Sequence, residues 1–264
     1  MKSVFLSKNS SEKSKIIGPD PKNDQLTAKV VGLNHLGETT ELHVVTERPL
    51  TIYLNSQEIV TVMTIGDYPA LLAIGYLKNQ GMLNLNDQIT ATDVDEDLNV
   101  VVVRTKRETN YEEKLSRKVR TSGCAVGTVY GDIMDGLEDI KLPFSEIKLS
   151  HLYNLSKKIN LIPSLYLEAG AIHGTVLCKD DVPLVYMEDV GRHNAVDKVA
   201  GWMHVNFERS KDKILYTTGR LTSEMVIKTA LMGIPILVSR SGFTAWGVDL
   251  AKDLGMTLIG RLRG

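Results

Sequence analysis

Cys124 stands in the run Thr121-Ser-Gly-Cys-Ala-Val-Gly-Thr128, between Gly123 and Gly127. A thiol close to basic residues or to a helix start ionises more readily, and the thiolate is the nucleophile. Lys114, Arg117, Lys118 and Arg120 lie just upstream, and a helix is expected to follow the cysteine. A run of this kind is also what a solvated face looks like. Flanking glycines would let the sulfur swing between a donor and an acceptor. The chemistry on offer is nucleophilic: attack on a persulfide, or hydrolysis with His173 or His193 as base. The other reading is a small buried hydrophobe, which most cysteines are. Cys178 closes the apolar stretch from Ala171 and reads as core.

A second set of residues could hold an anion. Glu188-Asp-Val-Gly-Arg-His-Asn194, Thr218-Gly-Arg220 and Ser239-Arg-Ser-Gly-Phe-Thr244 each precede a stretch with helical spacing. Backbone N–H groups and the dipole at a helix start attract anions. Arginine suits phosphate through paired hydrogen bonds, and glycine lets a phosphate approach the chain. Gly191, Arg192 and His193, Gly219 and Arg220, and Arg240 are therefore candidate contacts for a phosphorylated or nucleotide-like ligand. The alternative is that these arginines pair with Glu188, Asp189 and Glu224 and fix the loops. His173 and His193 fall near the same edge, as acid–base groups, as anion contacts, or as structural histidines.

The elements that must position these residues follow from local patterns. Residues 28–62 read as strands, with Ile52 and Leu54 flanking Tyr53 ahead of the turn Asn55-Ser-Gln57. A helix follows, with Asp67 as cap, Pro69 in its first turn, Leu71, Leu72, Gly75 and Leu77 on its buried side, and Gly81 at its end. Asn99 to Val103 reads as a buried strand. From about residue 169 strands alternate with helices: Ala171–Cys178, Val182–Met187, a helix through Val196, Val199, Ala200 and Met203, Ile214–Thr217, a helix through Ile227, Ala230 and Leu231, Ile234–Ser239, a helix through Val248, Ala251 and Leu254, and Thr257–Leu262. That alternation predicts an α/β fold with a largely parallel sheet, which places ligands at the carboxyl ends of its strands. The expected organisation is a flexible tail over 1–24, a small α+β domain over 25–118, and an α/β domain over 119–264 that carries the Cys124 loop.

Composition narrows the classes. The chain has 264 residues, 43% hydrophobic and 24% charged, with a net charge of −1. Such a balance gives no reason to expect nucleic acid or an anionic membrane as partner. No run of eighteen or so apolar residues suggests a membrane span. The polar N-terminus lacks the apolar core of a signal peptide. The two cysteines show no metal or disulfide spacing, so no zinc is expected and a cytoplasmic location fits. A zinc deaminase would need His-x-Glu with Pro-Cys-x-x-Cys, and neither motif occurs.

Glu188-Asp-Val-Gly-Arg-His-Asn-Ala-Val-Asp-Lys198 with Gly201 resembles the signature of the FdhD family of formate dehydrogenase accessory sulfurtransferases. Gly219-Arg220 with Glu224-Met-Val-Ile-Lys228, Gly233-Ile-Pro235, Gly255-Met-Thr-Leu-Ile-Gly260, Arg48-Pro49, Leu54-Asn55 and the Asp67 to Gly81 helix are similar too, so the resemblance covers roughly 28–264. The resemblance implies a homodimer whose larger domain has a cytidine deaminase-like fold. It implies that Cys124 takes persulfide sulfur from a cysteine desulfurase and passes it to the bis-molybdopterin guanine dinucleotide form of the molybdenum cofactor, for formate dehydrogenase. It further implies cofactor contacts at Gly260, Arg261, Leu262, Arg263 and Gly264, besides those in the three loops. A non-catalytic chaperone that binds the same cofactor is the alternative. The chain departs from the family where Gly127 replaces a second cysteine and where Glu168-Ala-Gly170 replaces a Thr-Gly-Gly element, and it stops at Gly264, where many members continue.

Overall fold

The computed structural model describes residues 16–83, 87–107, 137 and 139–263, and the backbone of 118–120 and 128–130. Two strands, β1 (Thr27–Leu33) and β2 (Thr39–Val45), pair as an antiparallel hairpin. Next come β3 (Arg48–Leu54) and β4 (Gln57–Thr64), joined by a tight turn in which Asn55 adopts a left-handed φ of 56°. Along β3 the buried Leu50, Ile52 and Leu54 alternate with more exposed neighbours, the period of a strand with one face on a core. Helix α1 (Pro69–Asn79) crosses from β4 towards β5 (Ile89–Asp95) and β6 (Val100–Thr105), and the four strands form a sheet in the order β4-β3-β6-β5. Asp67 does not cap α1. Tyr68 holds the cap position in a left-handed conformation with no side-chain cap, and Asp67 is drawn off by an ion pair with Lys198. The stretch read as a tail is anchored from Ile16 on: Ile17 bridges Val185, and the Tyr68 hydroxyl donates to the Gly18 carbonyl at 2.8 Å.

Two short strands, β7 (Lys118–Arg120) and β8 (Thr128–Tyr130), pair antiparallel. Cys124 lies between them in sequence and outside the described residues. The helix expected after the cysteine does not run over 128–130, which form β8.

The larger sheet holds β9 (His173–Lys179), β10 (Val182–Asp189), β11 (Ile214–Thr217), β12 (Ile236–Ser239) and β13 (Thr257–Ile259) in the order β10-β9-β11-β12-β13. It is mixed rather than largely parallel. β11, β12 and β13 run parallel, but β9 is antiparallel to both its neighbours. The cause is local: the tight turn at Asp180-Asp181 can only make a hairpin, whereas parallel neighbours need a long crossover. Among the described residues five helices accompany this part: α2 (Leu149–Asn160), α3 (Leu165–Ala169), α4 (Arg192–Val205), α5 (Ser223–Leu231) and α6 (Ala245–Leu254). α2 and α3 were not anticipated, although Leu152, Leu155 and Ile159 in α2 form a buried stripe at helical spacing.

One apolar cluster joins the two sheets. It takes Ile52, Leu54 and Val101 from the smaller sheet, Leu72 and Leu77 from α1, Val196 and Val199 from α4, and Leu177, Leu215 and Leu237 from the larger sheet. At its centre α1 lies directly on α4. Gly75 faces the Asp197 backbone and Gly201 faces the Leu71 backbone, each so close that a β-carbon would overlap main-chain atoms. Two helices can approach this closely only through residues without side chains.

This contact makes Gly201→Ala a sharp test. Helix propensity alone would favour alanine by about 1 kcal/mol. Forced separation of α1 and α4 should outweigh that, for a net loss of about 1–3 kcal/mol. Denaturant unfolding should show a lower midpoint, and a higher one would contradict the packing.

Candidate functional site

The loops after β10, β11 and β12 lie on one edge of the larger sheet, because β10 and the parallel β11 and β12 point the same way. The start of antiparallel β9 brings His173 to that edge, opposite Asp189. The end of β13 brings Gly260 and Arg261 there, with Arg261 N–H donating to the Ser241 carbonyl at 2.7 Å. Thus Gly191, Arg192, His193, Gly219, Arg220, Arg240, Gly260 and Arg261 converge. Leu262 is buried, with its N–H on the Ser239 carbonyl, and packs into the core rather than the edge. Arg263 is exposed. Gly264, like Cys124, lies outside the described residues.

Hydroxyl groups hold the loops in register. Ser239 Oγ donates to the Gly219 carbonyl at 2.6 Å and accepts from Ser241 N–H. Thr217 Oγ accepts from Gly219 N–H, and Thr218 Oγ accepts from Gly174 N–H at 3.0 Å. The stem of Arg192 runs over Gly219, where a β-carbon would stand 2.9 Å from Cδ. A larger residue at 219 would displace that stem.

The acids expected to fix the arginines each have another partner. Glu188 is buried and accepts the Leu165 and Tyr166 N–H groups at 2.8 and 3.1 Å, so it holds the start of α3. Burial pushes its carboxyl up, against those hydrogen bonds. Asp189 accepts from Thr64, Gly191 N–H and Asn194, and meets Lys198 at 2.7 Å. Glu224 sits 2.9 Å from His193 Nε2. The Arg240 guanidinium lies 5.8 Å from the Tyr166 ring centre, within cation–π range. Arg220 is exposed at the edge.

Beneath the loops runs a buried ionic chain. Lys198 on α4 is fully buried and joins Asp189, Asp67 and the Glu188 carbonyl. Burial alone would lower this lysine, but Asp189 and Asp67 hold its ammonium above the usual range. Two carboxylates share one cation, and burial pushes the Asp67 carboxyl up in response. At the adjacent position of α4, Asp197 receives Lys228 at 2.6 Å and Asn79 at 2.7 Å, and Lys228 also faces the Tyr76 ring. The chain therefore ties α1, β4 and β10 to α4 and α5, directly under Gly191 and Arg192. Sequence reasoning missed it. The available signal was the adjacent pair Asp197-Lys198 flanked by Ala195, Val196, Val199, Ala200 and Gly201, all apolar or small, since a buried lysine needs a carboxylate partner.

Cys178 is completely buried in β9, its thiol directed at the Val176 carbonyl, and burial pushes its pKa far up. It is core, as its apolar strand implies. A separate cavity of about 220 Å³ is lined by Arg48, Gly66, Asp67, Tyr68 and Glu96, among others. None of its lining residues belongs to the loop edge. The loop edge remains the candidate site because cationic side chains and helix starts converge there. Among the described residues no helix is long and apolar enough to cross a membrane.

Comparison with known proteins gives a consistent result. The family model described as FdhD/NarQ family matches residues 45–264. A Bacillus subtilis protein named sulfur carrier protein FdhD is 31% identical over 247 residues, which span 91% of this chain and 94% of the relative. A Wolinella succinogenes protein of the same name is 29% identical, over 91% of this chain and 86% of its own. A crystal structure from Desulfotalea psychrophila, described as that of a formate dehydrogenase accessory protein, superposes with a TM-score of 0.72 at 28% identity, covering 89% of this chain and 91% of that one.

The ionic chain yields a prediction. Lys198→Ala would leave Asp189 and Asp67 buried without their cation, a loss of about 3–5 kcal/mol. Urea unfolding measures it. A loss below about 1 kcal/mol, the range of an exposed pair, would mean that the cluster does not hold the helices together.

Proposed function

The chain belongs to the FdhD/NarQ family, and from that premise we propose that it is a sulfur carrier for formate dehydrogenase that works through a persulfide on Cys124. In this reading a cysteine desulfurase presents a persulfide. The Cys124 thiolate attacks the outer sulfur, the donor S–S bond breaks, and the donor leaves as a thiolate. The sulfur then passes to a molybdenum cofactor of the guanine dinucleotide type, held as substrate at the loop edge, before the cofactor enters the dehydrogenase. The observation that carries the ligand part is the convergence of Arg192, Arg220, Arg240 and Arg261 around the starts of α4, α5 and α6, while Glu188, Asp189 and Glu224 are engaged with other groups. Gly191, Gly219 and Gly260 leave the backbone open, and His193, Arg263 and Gly264 complete the candidate set, whereas Leu262, buried in the core, drops out of it.

The carrier part rests on the relatives' name, on the glycines that flank Cys124 in the sequence, and on the burial of Cys178, which takes that thiol out of the reaction. The reading also includes a homodimer, a cytoplasmic location and a division into a small α+β domain over 25–118 and a larger one over 119–264. For the larger domain it keeps the cytidine deaminase-like fold, with which a mixed sheet flanked by helices agrees.

Cys124→Ala should fold normally and fail to activate formate dehydrogenase in cells. Cys178→Ala should retain activity, with a stability loss of about 1 kcal/mol from the missing buried atom. Mass spectrometry after incubation with a desulfurase and cysteine should find one added sulfur in the wild type and in Cys178→Ala, and none in Cys124→Ala. Full dehydrogenase activation by Cys124→Ala would replace the carrier with a cofactor-binding chaperone.

A further inference from the structure

His173 occupies a place that the three loops do not account for. It opens β9, the one strand of the larger sheet that runs against both neighbours, so its side chain reaches the loop edge from the start of a strand rather than from its end. Its Nδ1 lies 3.3 Å from Thr218 Oγ, in the loop that carries Arg220. The ring is partly exposed. The ionisable groups that act on it are cationic or basic: Arg192 and His193 at the start of α4, and Arg220 ahead of α5. The nearby acids face other groups. Asp189, opposite in the strand register, is bound to Lys198, Thr64 and Asn194. Glu224 is on His193, Glu188 holds α3, and Asp197 takes Lys228. Arg240 lies over Tyr166.

A histidine gathered with two arginines, and with the nearby acids among the described residues turned to other groups, is suited to meet an anion. We propose that His173 completes a phosphate cradle with Arg192 and Arg220, and that its imidazole takes up a proton from solvent when a dianionic phosphate group binds. This rests on the reading of the loop edge as a nucleotide site. The proton balance is simple: water or buffer gives up one proton, the imidazole becomes imidazolium, and both ring nitrogens then donate, one to Thr218 Oγ and one to the anion. In the free protein, burial and the neighbouring cations hold His173 below the ordinary histidine range. A bound dianion offsets Arg192 and Arg220 and reverses the local field, so the protonated form becomes the favoured one. Because the bound state holds more protons, affinity must fall as pH rises through the pKa of the complex.

GDP is a suitable probe, since above about pH 7.5 its terminal phosphate is already ionised and adds little proton exchange of its own. Calorimetry in buffers of different ionisation enthalpy should show net proton uptake on binding to the wild type. His173→Asn, which can still hydrogen-bond but cannot titrate, should bind more weakly, lose most of the uptake, and show a flatter dependence on pH. In the wild type itself, histidine NMR should find the His173 titration moved upward by GDP. Binding without uptake, or equal uptake in the variant, overturns the role given to His173 and leaves the nucleotide site standing. No GDP binding at all overturns the nucleotide site, and the role of His173 with it.

Discussion

The ammonium of Lys198 is the constraint on which the rest of the structure depends. It is fully buried, and a buried cation is tolerable only if carboxylates and carbonyls surround it. Asp189, Asp67 and the Glu188 carbonyl do so, and they come from the end of β10 and from the residue pair before α1. Satisfying this one charge therefore fixes where β10 stops, how α4 begins, and where the first part of the chain sits. The pair Lys228–Asp197, with Asn79, repeats the arrangement on the next face of α4. The close passage of Gly75 and Gly201 lets the helices draw near enough for both sets to form.

A division of labour follows within the stretch Glu188 to Lys198. Glu188, Asp189, Asn194, Asp197 and Lys198 are buried and turned inward. Glu188 holds α3, whose Tyr166 supports Arg240. Asp189 and Asn194 tie the turn before α4 to β4. Arg192, itself buried, and the less buried His193 open α4 at the edge, with the stem of Arg192 passing over Gly219. Hydroxyls such as Ser239 and Thr217 lock the loop backbones that carry these cations.

Much of this was legible in the sequence because it rests on short-range rules. The strand and helix positions from Ile214 to Leu254 follow apolar periodicity and the stop signals Gly233, Pro235 and Gly255, and the structure has them within a residue or two. The convergence of Arg192, Arg220 and Arg240 followed from the rule that places ligands at strand ends. What failed depended on partners distant in sequence. Asp67 looked like a helix cap because its ion partner lies 131 positions away. Glu188 and Asp189 looked like partners for arginine because α3 and Lys198 could not be placed beside them. The parallel sheet was over-read because β9 and β10 were taken as one more step in an alternation, although the short turn between them demanded a hairpin.

In the proposed function, a buried ionic chain presents a cationic loop edge to a phosphorylated guanine nucleotide. A crystal structure of the chain with GDP tests this most directly. The account predicts phosphate oxygens within hydrogen-bonding distance of Arg192 and Arg220, with the starts of α4 and α5 facing them and the Lys198–Asp189 contact intact. A nucleotide seated instead in the cavity beside Arg48 and Tyr68, with the loop edge empty, would contradict it.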